Sequence, residues 1–390
     1  MALKIAYCTI ASANYLPRVR VLEESLATHR PGASLHILLC ERPEICRSLS
    51  AETGRPFVSP PQVCAAWLKM AFYYDITEYN TSLKPFFLEY LLGQGYDAVF
   101  YFDPDIEIFG SLAPIEALVE NHDLILTPHV CEPMPMDGLK PGIDEIIKAG
   151  QFNLGFIGLS GRPETRQALS WWQEVCLEHC LFENPPGYFV DQFWAAILPS
   201  FISKFHCLRD PGCNMAYWNA FQRPLSLENG CWKAGGHDLK FFHFSGLTER
   251  DLTQVSRHQN RVSAPLGSPF HALLSGYYTK VRNNVWSKYG RLPYSFGQFI
   301  DGTPLSGEER KAFLRLERAA RSRVGDAFAH PGAADPVGKG KPRFLVRLLR
   351  YVSARFLELA ETVEKEGLIA ALGRAAGYVG KALSSTLRGE

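Results

Sequence analysis

The sequence predicts an α/β fold in which a sheet with parallel strands is flanked by helices, and three observations carry that expectation. Residues 4–9 are a short apolar run rich in strand formers, and residues 34–40 are a second. Between them, residues 18–29 place Val21, Leu22, Ser25 and Leu26 at helical spacing. Strand, helix and strand in that order make the unit from which parallel sheets are built.

The later elements follow the same logic. A second helix is expected at about 83–92, closed by Gly93 or Gly95, and it leads into a wholly apolar strand at 98–102. Residues 124–127 and 152–159 read as further strands, and residues 163–180 as a helix carrying Trp171 and Trp172. The loop 128–142 holds four prolines and two methionines, which suits a lid, an acceptor loop or a plain surface excursion. Residues 323–342, rich in Gly, Ala and Pro, are the expected linker.

Composition narrows the function. With 390 residues, 46% of them hydrophobic, the chain can bury a large core and is not globally disordered. A net charge of +1 lacks the basic excess expected of a nucleic-acid binder, so no nucleic-acid partner is expected. The ten cysteines include no CxxC pair and are read as reduced, with Cys176 and Cys180 as small buried thiols. The opening apolar run soon meets Thr9, Ser12 and Asn14, a poor signal-peptide core, and no apolar stretch of about twenty residues exists to span a membrane. A cytoplasmic protein is expected.

The chemistry centres on Asp103-Pro104-Asp105, which follows the strand Ala98-Val99-Phe100-Tyr101-Phe102. Open α/β sheets bind ligands at the carboxyl ends of their strands. Two carboxylates flanking one residue there can hold a hard divalent cation, which would neutralise a diphosphate. Haloacid-dehalogenase-like phosphatases place a similar acidic triplet after a strand. Glu107, at the position where they carry Thr or Val, and the late place in the chain both count against that reading.

Three further motifs follow in order: Phe152-Asn153-Leu154-Gly155-Phe156, Asp191-Gln192, and His243-Phe244-Ser245-Gly246. Together with the acidic triplet, the chain over roughly 3–250 resembles the retaining glycogenin and bacterial lipooligosaccharide galactosyltransferase group. That resemblance implies a GT-A fold, a mixed sheet flanked by helices, here with a helical C-terminal appendage. It also implies hexosyl transfer from a nucleotide diphosphate-sugar, with UDP favoured and GDP or dTDP open, and with retention of anomeric configuration.

The resemblance assigns roles residue by residue. Asp103, Asp105 and His243 would ligate Mn²⁺ or Mg²⁺, mixed carboxylate and imidazole donors suiting Mn²⁺ somewhat better. The other reading of His243, among Phe241, Phe242 and Phe244, is a satisfied core histidine. Gln192 would lie beside the anomeric carbon with Asp191 next to it, although Asp191 also reads as the N-cap of a helix carrying Phe193 and Trp194. Thr9, Ile10, Ala11, Asn14 and Tyr15 would wrap the nucleotide, Tyr15 stacking on the base. Lys84 would pair with Asp191, and Phe102, Pro104, Asn153, Gly155, Ser245 and Gly246 would complete the donor site.

Two positions depart from the family pattern. Ser12 stands where an acidic residue reads the uracil edge, and Glu249 stands where a lysine meets the diphosphate, so Arg250 is the expected replacement. Tyr188, Asn214, Tyr217 and Trp218 are candidate acceptor-binding residues, because aromatics and amides suit sugar faces, although such segments more often form core. The acceptor would be a glycan, a lipid-linked glycan or a protein. A phosphatase or an inactive nucleotide-sugar-binding protein is the alternative function.

The expected organisation is a catalytic domain at 1–260, a helical extension packed on it at 261–322, the linker at 323–342 and an amphipathic helical segment at 343–390. In that last segment Phe344, Leu345, Leu348, Leu349, Val352 and Phe356 make an apolar stripe beside Arg343, Arg347 and Arg350. It would rest on the inner face of a membrane, pack on the catalytic domain or join two copies of the chain.

Overall fold

Most strand-forming runs of the first 160 residues join one sheet. In the computed structural model, which describes residues 3–183, 187–248 and 251–332, β1 (Ile5–Ala11) is followed by helix α1 (Leu16–His29) and by β2 (Leu35–Leu39). Then come β3 (Ala98–Phe102), β4 (Ile106–Ile108), β5 (Leu124–Pro128) and β6 (Phe152–Ser160). The central sheet has the order β2-β1-β3-β6-β5 and is completed by the short Phe205–Cys207 strand. The expectation of a mixed sheet flanked by helices is met. β1 pairs parallel with β2 and β3, while β6 runs antiparallel to both β3 and β5.

Side chains alternate across this sheet, so each strand feeds two cores. Ala6, Cys8 and Ile10 of β1 with Val99 and Tyr101 of β3 enter one, together with Leu88 and Leu91 of the Lys84–Gly93 helix and Trp172 of the Pro163–Cys176 helix. Tyr7 and Ala11 with Ala98, Phe100 and Phe102 enter the other, where α1 contributes Leu22 and Leu26. Both faces are covered, which is why β3 is apolar at every position rather than at alternate ones. Cys176 and Cys180 are both buried, and all ten cysteines are free.

Residues after 260 also pack. The Pro269–Asn283 helix lies on a third core, where Tyr277 stacks on Phe244 with ring centres 3.6 Å apart. Phe328, inside the span expected to be a linker, is fully buried against Phe72 and Phe296, so the chain is still part of the core there. Residues 333–342 of that span and the amphipathic segment 343–390 lie outside the described residues. Among the described residues, no helix is long and apolar enough to cross a membrane.

Candidate active site

Strand directions decide what meets at the sheet edge. The parallel strands β1 and β3 finish there, placing residues 12–15 and Asp103-Pro104-Asp105 side by side. Because β6 is antiparallel, it begins at the same edge, and the pairing of Phe102 with Phe156 puts Asn153, Leu154 and Gly155 beside the acidic triplet. The Asp103 N–H donates to the Gly155 carbonyl at 2.8 Å, fixing that register beyond the last strand pair.

His243 reaches the carboxylates through a second, two-stranded ladder. Its strand, Phe241–His243, runs antiparallel to β4 with His243 opposite Ile106, and Phe244 donates its N–H to the Asp105 carbonyl at 2.9 Å. The imidazole Nε2 then lies 3.1 Å from Asp105 Oδ1 and 3.6 Å from Asp103 Oδ2. One ligand atom from each of the three residues falls within 4.8 Å of the others. Burial pushes the Asp105 carboxyl up, but the His243 charge outweighs it and holds the group below its usual value. Burial pulls His243 down, and Asp105 and Asp103 more than reverse that, so its pKa lies above the ordinary imidazole value.

That donor set fits a divalent cation. Two carboxylate oxygens and one imidazole nitrogen converge, and the ring presents Nε2 to them while its Nδ1 is buried without a partner among the described residues. Gly155 is the cradle for the ring. A Cβ there would stand 2.4 Å from His243 Nδ1, closer than real contacts allow. Its backbone therefore makes room for the histidine.

Behind the acidic triplet runs a buried amide network whose orientation is set by backbone groups. Gly155 N–H can only donate, so Asn153 Oδ1 faces it at 3.0 Å and also accepts from Asn214 Nδ2 at 3.0 Å. Asn153 Nδ2 then points to His129 Nε2 and Gln192 Oε1, both at 3.3 Å. Gln192 Oε1 accepts the Leu154 N–H at 2.8 Å, and its Nε2 donates to the Ala149 carbonyl at 2.6 Å. His129 donates from Nδ1 to the Gly150 carbonyl at 2.7 Å, and burial drops its pKa to about 4, so it is a neutral acceptor for Asn153.

Lys84 and Asp191 form an ion pair at 2.8 Å, with each side chain only 2% exposed. Lys84 also donates to the Leu154 carbonyl at 3.0 Å and lies over the Tyr101 ring, whose hydroxyl donates to Asp103 Oδ1 at 2.6 Å. Burial opposes the Lys84 charge, and Asp191 with Asp103 overcomes it, leaving the ammonium raised. Asp191 does not cap its helix. The Val190–Ala195 helix is entered from Phe189 through Val190 at φ 44°, so Asp191 already sits in the first turn and its carboxylate is free to face Lys84.

At the other end of the cavity, Ala13 N–H donates to Glu41 Oε1 at 2.8 Å. Glu41 is 1% exposed, and its second oxygen takes the Ser295 N–H at 2.9 Å and the Ser295 hydroxyl, so the loop after β1 is tied to the region past residue 290. Ser12 spends its hydroxyl on Asn14 Oδ1 at 2.7 Å.

These parts line one cavity of about 890 Å³, within the range of small-molecule sites. Its walls include Ile10, Ala11, Asn14, Tyr15, Lys84, Asp103, Pro104, Asp105, Asn153, Tyr188, Asp191, Gln192, Tyr217, His243 and Ser245. Several expected residues are not on its walls. Thr9 and Phe102 are fully buried beneath, Asn214 and Trp218 sit behind it at 1% and 3% exposure, and Gly155 backs His243. Gly246, at φ 69°, lets Ser256 and His258 approach its backbone where a Cβ would clash. Arg250 and Glu249 lie outside the described residues.

Sequence reasoning missed other walls. Arg257 and His258 enter from a segment held by the Arg257 N–H on the Gly246 carbonyl at 3.0 Å. Thr77, Asn80 and Thr81 come from the Ile76–Ser82 helix, and Glu145 and Lys148 from the Ile143–Ala149 helix. None lies in a motif, and only chain folding brings them near. The proline loop contributes Pro141 and is clamped by Arg261, which donates to Asp137 at 2.8 and 2.6 Å and to the Pro141 carbonyl at 2.8 Å.

No family model matches the chain. It is similar to the uncharacterized protein YfnF of Bacillus subtilis (strain 168), 27% identical over 270 residues that cover 65% of this chain and 84% of that one. It is also similar to the uncharacterized protein YfnD of the same organism, 29% identical over 175 residues covering 44% of this chain and 54% of that one. Among solved structures it is similar to the galactosyltransferase LgtC in complex with donor and acceptor sugar analogs, at 14% identity and a TM-score of 0.44, covering 74% of this chain and 100% of that one. The WbbM bifunctional glycosyltransferase aligns at 12% identity and a TM-score of 0.42, over 74% of this chain and about half, 51%, of that one. GlyE of Streptococcus pneumoniae TIGR4 aligns at 16% identity and a TM-score of 0.39, over 76% and 67%.

Proposed function

We propose that this chain is a metal-dependent glycosyltransferase that moves a hexose from a nucleotide diphosphate-sugar, UDP-sugar above all, with retention of anomeric configuration. The observation that carries the reading is the convergence of Asp103, Asp105 and His243 with Gln192 on one cavity that also has an aromatic, Tyr15, on its wall. A nucleotide diphosphate-sugar needs an aromatic or polar wall for its base, a cationic centre for its diphosphate and polar groups at the sugar.

Each residue then has a task. Tyr15 and Asn14 hold the base and ribose. Asp103, Asp105 and His243 hold Mn²⁺ or Mg²⁺, which supplies charge neutralisation to the departing diphosphate. Arg257, on the cavity wall, takes the phosphate contact expected of Arg250. The Gln192 amide oxygen, steered by the Leu154 N–H, turns its negative end toward the anomeric carbon as positive charge develops there. Asn153 holds Gln192, and the Lys84–Asp191 pair fixes the floor. Tyr188 and Tyr217 offer flat faces to a carbohydrate, glycolipid or protein acceptor. A cytoplasmic site of action, with residues 343–390 on a membrane surface or a second copy, belongs to the same proposal.

The test is nucleotide release from a panel of nucleotide sugars with Mn²⁺. Turnover with one donor, lost in Asp105→Ala while the protein stays folded, supports the reading. Absence of metal-dependent nucleotide binding overturns it, and phosphate release from phosphomonoesters would favour the phosphatase instead.

A further inference from the structure

A second cavity, of about 740 Å³, adjoins the first through Asn14, which lines both. Four of its lining side chains are cationic: Arg18 from α1, Arg282 from the end of the Pro269–Asn283 helix, and Lys288 and Arg291 from the Ser287–Arg291 turn of 3₁₀ helix. No carboxylate lines it among the described residues. Among the described residues, only Lys288 of the four has a carboxylate ion-pair partner, Glu52, and that pair is open to solvent on both sides. Arg282 and Arg291 are exposed and make no ion pair among the described residues. Three separate elements thus bring cationic side chains around one hollow, two of those side chains, Arg282 and Arg291, without an ion pair among the described residues, and the resulting positive field favours an anion.

We propose that this cavity is a phosphate-binding site distinct from the donor cavity, taking the phosphate of an anionic lipid headgroup or of a soluble oligophosphate. Guanidinium groups suit the ligand because their paired N–H donors match phosphate oxygens. The surroundings suit a lipid source, since Val285 and Leu292, 72% and 36% exposed, flank the 3₁₀ turn at its two ends. The cavity also touches the donor side. The Arg18 guanidinium lies over the Tyr15 ring at 4.7 Å, so an anion drawing on Arg18 would alter the wall assigned to the nucleobase. That last link rests on the proposed donor site, whereas the phosphate site does not.

The experiment uses the full chain without divalent metal, as wild type and as the Arg282→Gln, Arg291→Gln double variant. Both residues are exposed, so the variant should melt with the wild type. Calorimetric titration with inorganic pyrophosphate reads the soluble arm. Co-sedimentation with phosphatidylcholine vesicles, with or without phosphatidylglycerol, reads the lipid arm. The expected result is binding in one arm, dependent on phosphate charge, that weakens at least about tenfold in the variant. Pyrophosphate held in the donor cavity, or vesicles held by residues 343–390, would be equally well bound by the variant, and that result overturns the proposal. Failure of the wild type to bind in either arm overturns it as well. Neither readout uses the sugar donor, so glycosyl transfer could fail while this site stands.

Discussion

The Gly155 backbone and the His243 ring occupy adjoining space with no room for a side chain between them, a Cβ on Gly155 falling 2.4 Å from Nδ1 and 2.5 Å from Cε1. Gly155→Ala should therefore push His243 away from Asp103 and Asp105 rather than merely stiffen the strand. The expected outcome is a fall in Mn²⁺ affinity of about ten- to a hundredfold, comparable to losing a group that orients a metal ligand. Manganese titration followed by electron paramagnetic resonance measures it, and unchanged affinity would remove His243 from the metal site.

The buried pair of Lys84 and Asp191 predicts asymmetric mutational costs. Lys84→Met leaves a carboxylate in the core without its counter-charge and should destabilise the fold by roughly 3–5 kcal/mol. Removing both charges with Lys84→Met and Asp191→Leu should recover much of that loss. Urea denaturation of the two single variants and the double variant gives the coupling, and additive costs would mean that the two charges do not depend on each other.

His129 predicts how the protein responds to acid. Burial lowers its pKa to about 4, against about 6.5 for an exposed imidazole. Its contribution to stability is fully present above pH 6.5 and is lost as pH falls toward 4, because the unfolded chain binds that proton first. Melting temperature should decline across that window in the wild type and decline less in His129→Gln. Parallel profiles would show that other groups govern the acid limb.

Arg261 predicts the behaviour of the proline-rich loop. Its side chain is 3% exposed, and its guanidinium joins Asp137 to the Pro141 carbonyl and to those of Leu139 and Pro135. Arg261→Ala should accelerate amide hydrogen exchange across residues 136–140 by about tenfold or more while exchange in β3 and β6 is unchanged, as expected of a local opening. Uniform acceleration would instead mark a global loss of stability.

Much of the frame was legible because apolar runs and helical spacing are local signals. The strand expected at 98–102 is β3 with the same limits, and the helix expected at 83–92 is the Lys84–Gly93 helix. The opening runs suggested a parallel sheet, yet β6 is antiparallel, since a strand buried on both faces reads the same in either direction. The helix expected to reach 180 stops at Cys176, where local spacing alone set no end point.

The sequence by itself determined which residue types stand where along the chain: the carboxylates at 103 and 105 after β3, the amide at 153 at the start of β6, the amide at 192 in a helix, and the imidazole at 243 at the end of a short strand. Tertiary structure decided which of them touch and which recede. Antiparallel β6 carried Asn153 and Gly155 to the acidic triplet, and a separate two-stranded ladder delivered His243. Folding also moved Asn214 and Trp218 behind the wall and brought Arg257 onto it. Motif order records chemistry along the chain, whereas contact depends on strand direction, register and the space a missing Cβ leaves. Those are properties of pairs of segments, and no single segment encodes them.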